Sequence, residues 1–204
     1  MTGGCPSWHS RAMSSASSPL PNLMTVAEFV AHDDGTMTRH ELIDGVMVAM
    51  NPPHPRHADL VENIGRAIEP QLVPPCRVYR AEVGVAAGEQ ERTWREPDVV
   101  VTCVRPEPAF IRSPRLIVEV LSPSTEKEDR TVKLDFYETL PSLTAILLVW
   151  QDDRRVRLRS RGEAGWVDHD AIGSGSISIP NLGITLSLDE IYTDPWGEAE
   201  PGEA

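Results

Sequence analysis

Two acidic residues stand inside short apolar segments of this chain, and they are its first candidates for chemistry. Asp98 lies in the segment Pro97–Val101, and Glu119 lies in the segment Leu116–Leu121. Both segments are rich in β-branched residues and bounded by Pro or Ser, a pattern that predicts buried strands. An ionised carboxylate is unfavourable in a buried strand unless it is paired or bound to a metal. Asp98 and Glu119 are therefore predicted to belong to a site.

The segment after these strands supplies a candidate cation. Residues Asp129 to Leu140 are predicted to be helical and carry Lys133, one of only two lysines in the chain. Two carboxylates suffice for Mg²⁺, which prefers oxygen ligands and retains several waters, and the carbonyl of Val120 is a candidate third ligand. A bound metal activates water and clamps phosphate oxygens, and a lysine adds positive charge where negative charge develops. The pattern predicts a cation-dependent phosphodiesterase.

The composition fits one globular domain in 204 residues, of which 40% are hydrophobic and 25% charged. No apolar run reaches the roughly 18 residues of a membrane span, and a signal-peptide core is missing, so we expect a cytoplasmic protein. The net charge of -12 argues against a nonspecific nucleic-acid coat protein. It does not exclude a nuclease, because bound metal ions neutralise the acids that hold them.

The cysteines carry no recognisable pattern. Cys5, Cys76 and Cys103 are widely separated in the chain and match neither a disulfide framework nor a zinc site. We therefore expect all three to be reduced and without a functional role.

Local signals predict the elements that precede the two acids. A capping box at Thr25–Glu28 predicts a short helix, and Asp44-Gly45 predicts a tight hairpin turn between two strands. Helical spacing of apolar residues predicts a second helix over residues 57–72. Alternation of polar and apolar residues predicts one strand over residues 77–87.

The elements after the helix are mostly strands. Residues 144–150 form an apolar run typical of a core strand, and a capping box at Ser187–Glu190 predicts a short final helix. Between them, Arg155, Arg157 and Arg159 alternate with other residues and share one face. That face can contact phosphates, because guanidinium groups suit phosphate oxygens, or it can be a solvated face that balances an acidic protein. The second interpretation is favoured.

These elements predict a mixed sheet with helices on its faces, an α/β or α+β fold with additional β-hairpins. The predicted domain spans residues 23–195. Residues 1–22, rich in Ser, Gly and Pro, are predicted to be a disordered tail, and residues 196–204 an acidic disordered tail.

Several stretches together resemble the PD-(D/E)XK nuclease superfamily, which has the restriction-endonuclease-like fold. More closely, they resemble the Uma-two family of predicted endonucleases within that superfamily. The stretches that carry the resemblance, in chain order, are Glu41–Gly45, His57 at the start of a helix, Glu96–Val101, Val118–Ser124, and Asp129-Arg130 with Lys133 and Tyr137.

The resemblance implies a core of αβββαβ order, with Asp98 and Glu119 as metal ligands and Lys133 as the catalytic lysine. It also implies that Glu41 is a further acidic residue of the site. The implied cofactor is Mg²⁺, for which Mn²⁺ can substitute, and the implied substrate is DNA. A homodimer is suggested by analogy with relatives that cut both strands, and no membrane association is expected.

The chain departs from the superfamily pattern at two places. The position two residues after the glutamate, where the superfamily has lysine, is Leu121, so the function of that lysine must come from elsewhere. The resemblance to the Uma-two family implies that the following helix supplies it, and Lys133 stands there. The strand at Leu143–Trp150 lacks the Tyr-Trp pair and the aspartate usual in the family, in a region that is structural.

Three implied residues have ordinary alternatives. Glu41 can face solvent, His57 can bond locally at the helix start, and Tyr137 can either orient Lys133 or belong to the core. For the whole chain, the alternative to a nuclease is a noncatalytic binding module that retains the nuclease fold. Zinc chemistry is disfavoured because Cys/His ligand clusters are missing from the sequence.

Overall fold

A computed structural model describes residues 23–33, 35–80, 83–122 and 129–197 of the chain, with the backbone alone at residues 129 and 130. The predicted tail at 1–22 lies outside the described residues, as does most of the predicted tail at 196–204. The domain boundaries therefore stay a prediction. Within the described part, no helix is long and apolar enough to cross a membrane.

The described residues form mostly strands, joined by short helices. The strands are β1 His40–Ile43, β2 Val46–Ala49, β3 Arg77–Arg80, β4 Gly84–Val85, β5 Val99–Thr102, β6 Phe110–Ile111, β7 Pro114–Leu121, β8 Ala145–Trp150, β9 Arg155–Gly162, β10 Gly165–Ile172, β11 Ser176–Ile179 and β12 Ile184–Ser187. The helices are α1 Val26–Val30, α2 Pro55–Ile68, α3 Leu134–Thr139 and α4 Leu188–Ile191, with a π-helical turn at Asp129–Lys133 and 3₁₀ turns at Glu69–Gln71 and Pro180–Leu182.

A six-stranded sheet of order β10-β9-β8-β7-β5-β3 is the centre of the fold. Strands β7 and β8 are parallel, and the other neighbouring pairs are antiparallel. The connection between the two parallel strands contains the π-helical turn and α3. Three two-stranded sheets, β1-β2, β4-β6 and β11-β12, accompany the central sheet. The structure confirms the predicted mixed α+β fold.

Both faces of the central sheet are covered by other elements. Successive side chains of its middle strands point to opposite faces, and both faces are mostly apolar. One face packs against α2 through Leu60, Ile64 and Ile68, all fully buried. The other face packs against α3, where Tyr137 is fully buried. A third, smaller apolar cluster holds α1 and the β1-β2 hairpin, with Leu42 at its centre.

The local signals located the short elements correctly. Both predicted capping boxes form, at Thr25–Glu28 and at Ser187–Glu190. Asp44 and Gly45 have φ angles of 49° and 84°, the positive values that a tight hairpin turn requires. Helix α2 begins earlier than predicted, because Pro55 occupies its first turn and the side chain of His54 caps it.

The prediction of one strand over residues 77–87 is wrong. Strand β3 pairs with β5 in the central sheet, whereas β4 pairs with β6 in a separate sheet. The alternation of apolar residues persists across both strands, so the sequence pattern hides the change of partner. Strand β6 has only two residues and gave no recognisable signal.

The expectation that the cysteines are reduced is also wrong for two of them. Cys76 and Cys103 form a disulfide. Antiparallel pairing places Arg77 opposite Thr102. Cys76 and Cys103 stand just outside this pair, so they face each other although they are 27 positions apart in sequence. A sequence pattern of cysteines cannot show such a contact, because it depends on strand register. Cys5 lies outside the described residues.

The arginines of β9 form ion pairs within the protein. In the antiparallel register Arg157 lies opposite Asp170, and Arg159 lies opposite Asp168. Arg157 donates two hydrogen bonds to Asp170, at 2.6 and 2.9 Å, and Arg155 donates one at 2.7 Å. The structure therefore agrees with the interpretation of a charge-balanced face.

Asp170 should stabilise the fold through these ion pairs. Hydrogen bonds from Arg157 and then Arg155 hold its pKa well below the ordinary value of 3.8. A lowered pKa in the folded state means stabilisation that is present above the unfolded value and lost as pH falls. Asp170→Asn should lower the free energy of unfolding by about 1 kcal/mol at neutral pH, because the pairs are partly exposed.

Urea denaturation checks this expectation, with Glu163→Gln in the β9–β10 turn as a control that should change little. The difference between wild type and Asp170→Asn should shrink as the pH falls below about 4. A difference that stays constant through this range would contradict the ion-pair account.

Candidate active site

Glu119 is the centre of the candidate site. It lies on β7 with only 2% of its surface exposed. Alternation along the strand places it on the same face as Ile117 and Leu121, the face that α3 covers. Its carboxylate accepts hydrogen bonds from the Tyr137 hydroxyl at 2.5 Å and from the Lys133 ammonium at 3.2 Å. A buried carboxylate thus has a cation and a hydroxyl as partners, as its burial requires.

Asp98 is held beside Glu119 by the main chain of β7. Its Oδ2 accepts a hydrogen bond from the Val120 N–H at 2.7 Å, and its Oδ1 lies 2.9 Å from His57 Nε2. Asp98 lies just before β5 instead of within a buried strand, and its side chain is 19% exposed. The prediction that it is buried in a core strand is therefore wrong. The structure does place it next to the residue that follows Glu119.

Lys133 ends the π-helical turn and is 8% exposed. Its ammonium lies 3.2 Å from Glu119 and 3.8 Å from Glu41. The helical segment that follows β7 thus brings Lys133 beside Glu119. Lys133 therefore lies near two carboxylates in a buried part of the protein.

Glu41 is buried, contrary to the ordinary expectation for a glutamate before a hairpin. It is 5% exposed and accepts hydrogen bonds from Arg95 at 2.8 Å and from the Glu96 N–H at 2.9 Å. These contacts attach the β1-β2 hairpin to the segment before Asp98. Glu41 therefore reaches the site, where it is a neighbour of Lys133.

The structure brings all the predicted site residues to one region. His57 contacts Asp98, and the Tyr137 hydroxyl contacts Glu119 instead of Lys133, while its ring belongs to the core. For Val120, the observed contact is its N–H with Asp98. Its carbonyl as a metal ligand stays a prediction.

Sequence reasoning missed three charged residues of the site. Arg39 forms an ion pair with Glu96, and Arg95 is 1% exposed beside Glu41. Arg95 and Glu96 directly precede the Pro97-Asp98 motif, a proximity that could have drawn attention to them. Their partners stand more than 50 positions earlier, so no local pattern indicates the pairing.

Burial strongly affects the titration of Tyr137. Removal from water raises the pKa of its hydroxyl well above the ordinary value of 10.0, and the charges of Glu119 and Glu41 raise it further. Tyr137 is therefore a neutral hydrogen-bond donor at all ordinary pH values. Its role is to hold the Glu119 carboxylate in place.

Each acid of the site has a basic partner within the chain. The pairs are Glu41 with Arg95, Glu96 with Arg39, Glu119 with Lys133, and Asp98 with His57. Three of these partners are arginine or lysine, whereas the partner of Asp98 is a histidine. Asp98 is also the acid with the most exposed side chain of the four.

The acids face a cavity of about 470 Å³ that Asp98, Glu119 and Lys133 help to line. Among the described residues, no group of three or more His, Cys, Asp or Glu side chains is arranged to hold a metal. The oxygen donors of Asp98 and Glu119 nevertheless fit Mg²⁺, which needs only one or two carboxylates and keeps its waters. Each Asp98 oxygen accepts one hydrogen bond, and a carboxylate has about four acceptor positions.

The arrangement of strands and helices is that of a restriction-endonuclease-like fold. A crystal structure described as that of "a putative nuclease belonging to DUF820" from Anabaena variabilis matches this chain with a TM-score of 0.65. The match covers 83% of this chain and 97% of that one, at 17% sequence identity. At that identity the likeness concerns the fold.

The sequence model of the Uma2 family, described as "Putative restriction endonuclease", matches residues 26–189. The chain therefore belongs to the Uma2 family, in agreement with the resemblance found in the sequence. Two uncharacterized proteins of Synechocystis sp. are also similar. One, slr1290, is 28% identical over 87% of this chain and 95% of its own length; the other, sll1609, is 26% identical over 76% and 90%.

The hydrogen bond from Tyr137 to Glu119 should contribute measurably to stability. Tyr137→Phe leaves the ring in the core but removes a donor to a buried carboxylate, so the free energy of unfolding should fall by about 1–2 kcal/mol. Tyr79→Phe is the matched control, because Tyr79 packs against the same core cluster, and it should change stability by less than about 0.5 kcal/mol. If urea denaturation shows the same loss of unfolding free energy for Tyr137→Phe and Tyr79→Phe, the Tyr137 hydroxyl adds nothing to stability beyond the control.

Proposed function

We propose that this protein is a Mg²⁺-dependent endonuclease that hydrolyses phosphodiester bonds in DNA. The observation that carries the proposal is the contact of buried Glu119 with Lys133, at the edge of a cavity that Asp98 also lines. Membership of the Uma2 family and the fold shared with a described nuclease support it.

Asp98 and Glu119 would hold the cation, with the carbonyl of Val120 as a third ligand. When bound, Mg²⁺, or Mn²⁺ in its place, lowers the pKa of a coordinated water and neutralises charge on the phosphate. The hydrogen bonds to Asp98 from Val120 and His57 fix the direction of its carboxylate. Such support of a ligand by neighbouring groups is what keeps a metal site in a productive geometry.

Lys133 would stabilise the negative charge that develops on the phosphate as water attacks phosphorus and the leaving oxygen departs. Glu41 and Tyr137 are positioning residues in this scheme. Glu41 is a second carboxylate near the ammonium of Lys133, and Tyr137 holds the carboxylate of Glu119. The chain thus fixes both charges before a substrate arrives.

The proposal includes a homodimer, by analogy with relatives that cut both strands of DNA, and a cytoplasmic location. The Cys76–Cys103 disulfide is an unusual feature for that compartment, where thiols are kept reduced.

A second candidate is a noncatalytic binding module that retains the nuclease fold. The observation that favours it is the pairing of every site acid with a base of the chain, with no three-ligand group in the described part of the structure. This candidate predicts no metal-stimulated cleavage of any nucleic acid.

Cleavage assays with Mg²⁺ and Mn²⁺ on plasmid DNA test the proposal. Asp98→Ala should abolish cleavage, and Lys133→Ala should lower kcat by at least about 100-fold, because an electrostatic contact to the transition state is lost. Asp135→Asn, at an exposed position of α3, should cleave like wild type. Circular dichroism should show that the variants fold. If Asp98→Ala does not fold, Asp98→Asn takes its place in the assay. Undiminished cleavage by folded Asp98 or Lys133 variants would contradict the assignment of the site.

Calorimetric titration of Mn²⁺ and Mg²⁺ separates the two candidates. If the protein is a nuclease, wild type and Asp135→Asn should bind the metal ions and Asp98→Ala should not, because Asp98 is a metal ligand in the nuclease proposal and not in the noncatalytic one. Mn²⁺ is included because oxygen sites hold it more tightly than Mg²⁺. Wild type that binds neither ion, with or without DNA, and cleaves nothing would favour the noncatalytic module.

A further inference from the structure

One wall of the candidate active-site cavity is apolar, and the proposed hydrolysis does not account for it. Besides the acids and Lys133, the apolar residues Val48, Met50 and Pro52, close together in the chain, line this cavity. Val48 is 41% exposed although its side chain is hydrophobic. A metal-dependent reaction at phosphorus does not require such a wall, so the wall is available to another part of the substrate.

The wall is built by the β1-β2 hairpin. Glu41 on β1 is the register partner of Val48 on β2, and the side chains of such partners share one face of the hairpin. The opposite face, with Leu42, is buried against the cluster that holds α1. The Met50 N–H continues the ladder by donating to the Arg39 carbonyl at 2.8 Å. The face toward the cavity therefore presents Glu41 on β1 beside Val48 on β2, and Arg39 and Met50 are the next pair along the ladder.

We propose that the apolar side of this hairpin binds the base of an unstacked nucleotide, so that the substrate is an unpaired stretch of DNA and not an intact duplex. This inference rests on the proposed hydrolysis of DNA and adds the substrate class, and it does not include the homodimer, whose analogy is with cleavage of both strands. A nucleotide combines an apolar base face with a charged phosphate, which matches the apolar residues of β2 and the basic groups Arg39 and Lys133 that line the same cavity. The phosphate would lie toward Arg39 and Lys133, and the base would contact Val48 and Met50.

An intact duplex fits this surface poorly. Its base faces are covered by their stacked neighbours, and its exterior is a charged backbone. Contact of that backbone with Val48 and Met50 would remove phosphates from water without compensation. In an unpaired strand the base faces are available, and apolar side chains can cover them. The cavity of about 470 Å³ is in the size range of small-molecule sites, which suits one nucleotide.

The hairpin offers a matched control. Val46 and Val48 are two positions apart on β2 and share a face, and they are 46% and 41% exposed. Val48 lines the cavity, whereas Val46 is not among its lining residues. Replacement of either valine by threonine keeps the shape and the β-branched character of the side chain.

The experiment measures binding separately from cleavage. Fluorescence anisotropy, with Ca²⁺ in place of Mg²⁺, gives the Kd of a labelled single-stranded oligonucleotide and of the duplex of the same sequence. Wild type should bind the single strand more tightly. The double variant Val48→Thr/Met50→Thr should weaken single-strand binding about tenfold, because two apolar contacts are lost, and should leave duplex binding within about twofold. Val46→Thr should match wild type on both.

Cleavage of the same two substrates with Mg²⁺ shows whether the proposed nuclease function fails or only the inference about its substrate. Cleavage of duplex and single strand at equal rates, unaffected by the double variant, would overturn the inference and leave the nuclease intact. Cleavage of neither substrate, nor of plasmid, would overturn the proposed function and the inference with it. A change of molecular mass in the double variant on size-exclusion chromatography would also overturn the inference, because the apolar strand would then be a contact with a second copy of the chain.

Discussion

The burial of one carboxylate constrains the architecture around the candidate site. Glu119 lies in the middle of the central sheet with almost no access to water, and it requires the Lys133 ammonium and the Tyr137 hydroxyl. Lys133 is itself buried and has Glu41 as a second neighbour, which in turn binds Arg95. Removing one member of such a network leaves an uncompensated charge, so its members depend on one another.

This dependence explains how separate elements are held together. The network joins β7, the π-helical turn and the β1-β2 hairpin, although the hairpin does not belong to the central sheet. The hairpin is also fixed by the pairing of Leu42 with Trp94, directly before Arg95. Docking of the hairpin therefore places Glu41 and the apolar wall in the site at once. The contacts that dock the hairpin therefore serve both the stability of the fold and the geometry of the cavity.

Much of the fold was predictable because its signals are local. The Asp44-Gly45 turn and both capping boxes involve residues within three positions of each other, and these elements formed as expected. Acids in apolar segments and the scarcity of lysine directed attention to Glu119 and Lys133. The role of Glu41 rested on the family resemblance, because nothing near it in sequence indicates that it is buried.

The remaining features depend on contacts between distant segments. Arg39 and Glu96 stand 57 positions apart, and Cys76 and Cys103 stand 27 apart. Both contacts follow from how the segments pack, which periodicity does not encode. The change of sheet between β3 and β4 was missed for the same reason, since an alternating pattern fits any partner strand.

The ion pairs of the β9 arginines limit how strongly this face of the protein would bind a polyanion. Proteins that neutralise many phosphates release counterions, and their affinity falls steeply as salt is added. Arg155, Arg157 and Arg159 are already engaged by Asp170, Asp168 and Glu138, so this face displaces few ions. With an overall charge of -12, long-range attraction would not accelerate encounter. Selection of a target would then depend on short-range fit inside the cavity, over a wide range of ionic strength.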